Sequence, residues 1–171
     1  MDFVIESENR LWGCRYGPNN KGEVVNEIYC SKLGDFKNWN CFMGISTDSY
    51  VASVGTDGQF TGAITHLGHP LFFKENCLHK VYGNYPSNYQ IQTTACRGVE
   101  RGSDKSLAIV NELLYYKSPT GVCVYDGSLP QEVSYAFGEE KYSDAVAGAA
   151  GNKYYISMKS VSTKEYVFMV Y

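Results

Sequence analysis

The chain has 171 residues, which is long enough for one domain with a real core and too short for two large ones. Its formal charge is −3 and no cluster of Lys and Arg stands out, so it lacks the broad attraction to phosphate that nucleic-acid binders use. With 44% hydrophobic residues, 15 tyrosines and 17 glycines, the composition indicates an ordered β-rich protein with many turns.

No apolar run approaches the roughly 18 residues needed to cross a bilayer, and residues 1–6 lack the basic and apolar segments of a secretion signal. We therefore expect no membrane partner and synthesis in the cytoplasm. The six cysteines form no Cys-x-x-Cys pair, and several lie inside apolar runs. They are expected to be free structural thiols, with one disulfide between Cys14 and Cys30 as the alternative.

A repeated unit runs along the chain in order. Each copy has a short strand rich in small residues, at 3–5, 62–66, 106–110 and 144–149, followed by an aromatic-rich hairpin. The predicted hairpin anchors are Asn9, Asn76, Asn111 and Asn152. They lie 67, 35 and 41 residues apart, and the last two intervals are near the period of a four-stranded propeller blade. The long first interval predicts an insertion between residues 40 and 60.

The copies predict an all-β, β-propeller-like domain of about four blades, with approximate blades at 1–43, 44–95, 96–137 and 138–171. Small side chains suit the inner strands, which crowd around a propeller axis, whereas outer strands can carry large aromatics. Residues 166–171 are apolar on both faces, which is expected of a sheet held between two others. A two-sheet sandwich or an irregular β fold is the alternative.

The last blade is predicted to be incomplete. The third copy continues past Tyr125 into a further strand at 131–137, whereas the fourth copy reaches only Tyr171. An exposed strand edge is a template for pairing. We therefore expect either a piece of a longer chain or half of a ring that another copy completes.

The motifs at 9–14 and 27–39 resemble those of a family of bacteriophage and prophage virion proteins, which carry them on propeller-like β repeats near the tail or baseplate. The resemblance continues through 54–62, 70–76 and 124–130, so it covers most of the chain. It implies a structural role in the virion after synthesis in the host bacterial cytoplasm. The implied partners are other virion subunits or a second copy of the chain.

Within the second motif, Ser31, Gly34, Asp35 and Trp39 are predicted to form a structural turn. Gly34 can take a positive φ, Asp35 can cap backbone amides, and Trp39 can pack over the turn. The turn resembles the Asp-box turns of sialidase-like propellers but lacks their Ser-x-Asp-x-Gly order. A structural rather than catalytic role is expected.

Candidates for chemistry are sparse. His66 and His69, with His79 nearby, could hold a metal only with a third ligand, which is not evident, so no metal or other cofactor is expected. A glycosidase would need a converging carboxylate pair. The candidates are Asp48, Asp57, Glu75, Asp104, Asp126 and Asp144. Most lie beside Gly, Ser or Thr, which favours turn and capping roles.

Three tyrosines surround a Pro-Ser-Asn turn and could stack on sugar rings. Tyr82 and Tyr89 are expected to pack between blades, and Tyr85, in the turn itself, is the candidate glycan contact. The sequence thus predicts a non-enzymatic virion domain that serves as a rigid assembly platform. The alternatives are a carbohydrate-binding propeller for host attachment and a glycosidase-like enzyme.

Overall fold

The computed structural model describes residues 1–135 and 138–171. The prediction of an all-β chain is confirmed, and the described strands form four antiparallel sheets. Helical structure in these two ranges is limited to short 3₁₀ turns such as Pro86–Asn88 and Asp104–Ser106. Within the same ranges, no helix has the length and apolar character that crossing a membrane requires.

Each sheet is a meander, with its strands paired in chain order. Sheet 1 contains β1 (Phe3–Ser7), β2 (Arg10–Pro18), β3 (Val24–Cys30) and β4 (Tyr50–Ser53). Sheet 2 contains β5 (Gly62–His66), β6 (His69–Lys74), β7 (Cys77–Tyr82) and β8 (Gln90–Ala95). Sheet 3 contains β9 (Ala108–Val110), β10 (Leu113–Lys117), β11 (Val122–Tyr125) and β12 (Gln131–Glu132). Sheet 4 contains β13 (Tyr142–Ala150), β14 (Lys153–Ser160) and β15 (Tyr166–Val170).

A two-residue turn joins the first two strands of every sheet. Both turn residues have positive φ in the pairs 8–9, 67–68 and 111–112, which is the backbone of a type I′ turn. In the fourth sheet, Gly151 has a φ of 58° and Asn152 follows it. The type I′ turns match the right-handed twist of their flanking strands, and a two-residue turn at the same position fixes the hairpin register in each of the four sheets.

Three of the four anchoring asparagines occupy this first turn, and the fourth does not. Asn9, Asn111 and Asn152 lie between the first and second strands of their sheets, whereas Asn76 lies one turn later, between β6 and β7. The residues of sheet 2 that correspond to Glu8 and Asn9 are Leu67 and Gly68. The equivalence predicted for Asn76 is therefore displaced by one hairpin, because asparagine favours any tight turn.

The four sheets stack face to face in chain order. One apolar cluster joins sheets 1 and 2 and includes Trp12 and Phe72. A second joins sheets 2 and 3 through Phe73 and Tyr116, and a third joins sheets 3 and 4 through Val122 and Tyr154. Sheets 2 and 3 are thus covered on both faces, and burial of these apolar surfaces is the main source of stability.

All four sheets have the same orientation in the stack. Counting from the first turn of each sheet, the second and fourth residues of the next strand face the preceding sheet, as Leu114 and Tyr116 of β10 do. The third residue faces the following sheet, as Tyr115 of the same strand does. The alternation of side chains along a strand fixes this assignment once the turn is fixed. We call the side toward the preceding sheet the back face and the side toward the following sheet the front face.

Sheets 1 and 4 each keep one uncovered face. On β15, Val167 and Met169 pack against sheet 3, while Tyr166, Phe168 and Val170 are exposed. The expectation that this strand is covered on both faces is therefore wrong for the isolated chain. The reason is its position, because sheet 4 has no following sheet among the described residues.

The sheet boundaries also differ from the predicted blades. A boundary after residue 43 would assign Tyr50–Ser53 to the second blade, but β4 pairs with β3 and extends sheet 1 to Ser53. The extra chain of the first copy lies within sheet 1, in the loop 31–49 between these strands. In the predicted strand 131–137, residues 131 and 132 form β12, and positions 136 and 137 lie outside the described residues.

All six cysteines are free. Cys14 lies opposite Ile28 and Cys30 lies opposite Trp12, so the two thiols are not cross-strand partners. Burial raises the pKa of Cys14 to about 12 and that of Cys30 to about 11, which keeps both thiols protonated near neutral pH.

Candidate functional site

A long loop, residues 31–49, is held in place by one buried cation. Arg10, at the start of β2, is only 3% exposed. Its guanidinium donates to the backbone carbonyls of Ser31 (2.9 Å), Asp48 (2.5 Å) and Ser46 (2.7 Å). A buried charge is tolerated when hydrogen bonds replace its hydration, so these contacts fix the path of the loop.

The tip of the same loop is organised by Asp48. Its Oδ2 accepts hydrogen bonds from the backbone amides of Met43 (2.6 Å), Gly44 (2.6 Å) and Ile45 (3.1 Å). Burial opposes ionisation of this carboxyl group, but the amides of Ile45, Gly44 and Met43 outweigh it and lower the pKa of Asp48. The carboxylate therefore serves the loop backbone, and Phe42, Met43 and Ile45 are left exposed around it.

The turn between β7 and β8 forms a second wall. The Oδ1 atom of Asn88 accepts from the amides of Asn84 (2.9 Å) and Tyr85 (3.1 Å), which closes the turn. Gly83 has a φ of 106°, and a Cβ atom there would lie 2.5 Å from the carbonyl oxygen of Asn88. Only glycine fits this close approach. The turn presents Tyr85, which is 42% exposed.

The two walls enclose an open cavity of about 500 Å³. Its apolar lining comes from both sides, with Phe42 and Ile45 on the loop and Tyr85 and Pro86 on the turn. Tyr50, at the start of β4, also lines it. Serines 46, 49 and 87 supply hydroxyl groups. A few polar groups in an aromatic-lined concavity are typical of small-molecule and sugar sites.

An aromatic cluster supports the cavity from behind. The ring of Tyr89 lies edge-on to Tyr50 (5.2 Å between centroids) and to Trp12 (4.9 Å). The guanidinium of Arg10 lies 5.9 Å from the centroid of the Tyr89 ring. Tyr89 thus packs between sheets 1 and 2. Tyr82 lies on the same face of β7 as Leu78, toward sheet 3, and its ring centroid is 4.8 Å from that of His69. Of the three tyrosines singled out from the sequence, Tyr85 is the one that lines the cavity.

The Ser31–Trp39 segment forms a turn at the base of the same loop. Gly34 has a φ of 70°, and its amide donates to the carbonyl of Asn9 at 2.9 Å. The Oδ1 atom of Asp35 accepts from the amide of Lys37 at 3.3 Å, and the Ser31 hydroxyl oxygen accepts from the amide of Leu11 at 3.0 Å. Trp39 is half-buried. The turn therefore connects the loop to the first hairpin.

The histidines do not converge. His66 and His69 flank the turn at 67–68, but the His66 ring lies 2.5 Å from the carbonyl of Glu112 on sheet 3. The His69 ring lies 3.1 Å from the carbonyl of Val81 in its own sheet. Among the residues described by the structure, no group of three or more His, Cys, Asp or Glu side chains could hold a metal.

His79 is fully buried between sheets 1 and 2. Its two ring nitrogens lie 2.9 Å from the hydroxyl of Thr56 and 2.8 Å from that of Thr93. Burial lowers the pKa of His79 to about 4, and the neighbouring charge of Lys74 lowers it in the same direction. The ring is therefore neutral at pH 7 and belongs to the core.

The candidate carboxylates mostly serve local structure. Asp126 caps its own turn by accepting from the amide (2.9 Å) and hydroxyl (2.6 Å) of Ser128. Asp57 and Glu75 are the two that share a cavity, of about 540 Å³, which Lys74 and Arg101 also line. One Glu75 oxygen accepts from the amide of Arg101 at 3.2 Å. Asp104 and Asp144 do not line this cavity.

The uncovered faces of sheets 1 and 4 form the second candidate functional feature. The front face of sheet 4 carries Phe168, stacked on Tyr155 with centroids 5.9 Å apart, and Tyr166 beside Lys159. The back face of sheet 1 carries one continuous row across its four strands, Val4, Gly13, Tyr29 and Val51. Exposed apolar faces of this kind mark interaction surfaces.

Sequence reasoning identified one wall of the cavity and missed the other. Residues 41–45 read Cys-Phe-Met-Gly-Ile, an apolar run within an otherwise polar loop, and that run is the signal that could have found it. The hydrophobicity of the 166–170 strand predicted cover on both of its faces, whereas the face that carries Phe168 is exposed in this chain.

Comparison of the chain with protein-family models gives no match, and comparison with curated proteins gives none either. The resemblance to virion proteins therefore remains a prediction from the motifs.

Proposed function

We propose that this chain is a non-enzymatic structural domain of a phage or prophage virion protein, with its four sheets arranged as the blades of a partial β-propeller. The three-stranded sheet 4 and sheet 1 present the contact faces of this platform. The observation that carries the proposal is the common orientation of the four stacked sheets, which leaves one apolar face uncovered at each end. The motifs that resemble those of virion proteins support it further.

Particle association tests this proposal. Virions produced by a bacterium that carries the encoding phage genome would be purified on a density gradient and washed at high salt. We expect the chain to sediment with the particles, and Phe168→Glu to reduce the amount retained. The control is Tyr135→Ala, an exposed side chain outside both end faces. Recovery of the wild-type chain only in the soluble fraction would contradict the proposed role.

A second candidate function, glycan binding for host-surface attachment, is favoured by the cavity that Tyr85 lines. An aromatic ring with nearby hydroxyl groups suits a pyranose, whose C–H bonds stack on the ring while its hydroxyls form hydrogen bonds. A glycan array with the purified chain would reveal this activity. Binding that is weakened at least about tenfold by Tyr85→Ala, and is unchanged by Tyr135→Ala, would establish the site. An array without binding would exclude it for the glycans displayed.

The non-enzymatic part of the proposal has its own test. Asp57 and Glu75 line one cavity, which makes them the carboxylate pair to test for glycosidase chemistry. We expect no turnover of chromogenic glycosides by the purified chain. Turnover that is abolished by Asp57→Asn would replace the structural role with a catalytic one.

A further inference from the structure

Two of the three interfaces inside the chain show the same pairing between strand positions. At the interface of sheets 2 and 3, Phe73, the fifth residue after its turn, packs on Tyr116, the fourth residue after its turn, at 5.1 Å. At the next interface, Tyr115, the third residue, stacks on Tyr154, the second residue, at 5.0 Å. Both contacts therefore bring the front face of one sheet onto the back face of the next.

The two uncovered faces are one front face and one back face, the combination that meets at every interface inside the chain. Sheet 4 exposes a front face, on which Phe168 is 68% and Tyr166 is 67% exposed. Sheet 1 exposes a back face, on which Val4 is 49% and Val51 is 42% exposed. With the same pairing between strand positions, Tyr155 would meet Leu11 and Ser157 would meet Gly13.

Both end faces carry apolar side chains. Gly13 has no side chain of its own, and the sulfur of Met1 lies 2.7 Å from the position that a Cβ atom would take. The Tyr155 and Phe168 rings of sheet 4 would therefore meet a surface of larger apolar side chains, Tyr29 included, and not an open gap at Gly13. Aromatic side chains buried near the centre of an interface contribute much of its binding free energy.

The charges on the two faces are complementary. The front face of sheet 4 carries Lys153 and Lys159, which lie on the same side of β14 as Tyr155. The back face of sheet 1 carries Glu6 and Glu27, together with one basic residue, Arg15. Opposite potentials favour this pairing and disfavour two sheet 4 faces meeting each other, because lysines would then face lysines.

We propose that the partner of these faces is a second copy of this chain, docked head to tail, with sheet 4 of each copy on sheet 1 of the other. This rests on the proposed assembly role and names its partner. Such a contact is heterologous, and two of them related by a twofold axis close a ring of eight sheets.

The test is sedimentation equilibrium of the purified chain with two single variants. Wild type should have the mass of two chains, and both Phe168→Glu and Val51→Glu should weaken dimerisation at least about 30-fold. Both side chains are exposed in the single chain, so circular dichroism and thermal unfolding should remain near wild type. Tyr135→Ala should remain dimeric.

Mixing the variants identifies the geometry. Phe168→Glu chains keep an intact sheet 1 face, and Val51→Glu chains keep an intact sheet 4 face, so a mixture should form a one-to-one complex through a single contact. A Val51→Glu chain that dimerises as well as wild type would overturn the head-to-tail arrangement. A wild-type chain that is monomeric at all concentrations would overturn the proposal itself, whereas failure of particle association would reject the virion role independently.

Discussion

At the scale of single residues, Arg10 holds a loop of nineteen residues in place between two strands of sheet 1. The loop 31–49 contains no regular strand, and its backbone carbonyls at Ser31, Ser46 and Asp48 converge on one guanidinium. Five rigidly oriented N–H donors suit this task, and a lysine could not satisfy the same geometry.

Removing that guanidinium should destabilise the whole domain. We expect Arg10→Met, which keeps the apolar stem, to lower the free energy of unfolding by roughly 3 kcal/mol, since three carbonyls, two of them in buried hydrogen bonds, lose their donor. Urea denaturation measures this loss. The matched control is Arg97→Met, which breaks only an exposed ion pair with Glu132 and should cost about 1 kcal/mol or less. Equal losses in the two variants would contradict the role assigned to Arg10.

His79 makes the stability depend on pH. The ring titrates near its ordinary pKa of about 6.5 in the unfolded chain and at about 4 in the folded chain. As pH falls from 6.5 to 4, the unfolded state binds a proton that the folded state does not, so this interval costs up to roughly 3 kcal/mol of stability. His79→Gln should flatten the decrease. Parallel pH profiles for wild type and variant would show that His79 does not cause it.

At the scale of elements, the hairpin turns show what the sequence could and could not predict. The small-residue segments at 62–66 and 144–149 were found from composition, and they form β5 and most of β13. The crowding expected around such strands is not seen at Gly148, where a Cβ atom would meet nothing within 4 Å. Asn76 was assigned to the wrong turn, because asparagine marks a tight turn without specifying which one. The equivalent turn contains Leu67 at a φ of 49°, a conformation that leucine rarely adopts.

That strained leucine gives a stabilising variant. Leu67→Asn creates Asn-Gly, the preferred pair for a type I′ turn, and should raise the free energy of unfolding by about 1 kcal/mol. Thermal and urea unfolding measure the gain. Leu33→Asn is the control, because Leu33 is also an exposed loop leucine but does not have a positive φ. A gain in both variants would mean that surface polarity, and not turn geometry, is responsible.

Only one wall of the candidate cavity could be predicted from the sequence. Tyr85 follows from the Pro-Ser-Asn turn, whose geometry is local and readable from the sequence. Phe42 and Ile45 reach the cavity because Arg10, more than thirty residues earlier, fixes the loop that carries them. Contacts of such long range leave no periodic pattern in a single sequence.

At the scale of the whole molecule, the face on which each side chain lies follows from the turns. Once four equivalent turns are fixed, strand alternation decides which residues face the preceding sheet and which face the following one. Sheets 2 and 3 are consequently covered on both faces and sheets 1 and 4 on one. A two-sheet sandwich would instead leave one open face on every sheet.

Native-state hydrogen exchange of the Phe168→Glu variant, chosen so that the chain is monomeric, distinguishes these arrangements most directly. The comparison uses strands that are internal to their sheets, β6 and β10 against β2 and β14, so that edge effects are matched. The stacked arrangement predicts that amides of β6 and β10 exchange more slowly than those of β2 and β14. Equal exchange in all four strands, or slower exchange in β2 and β14, would contradict it.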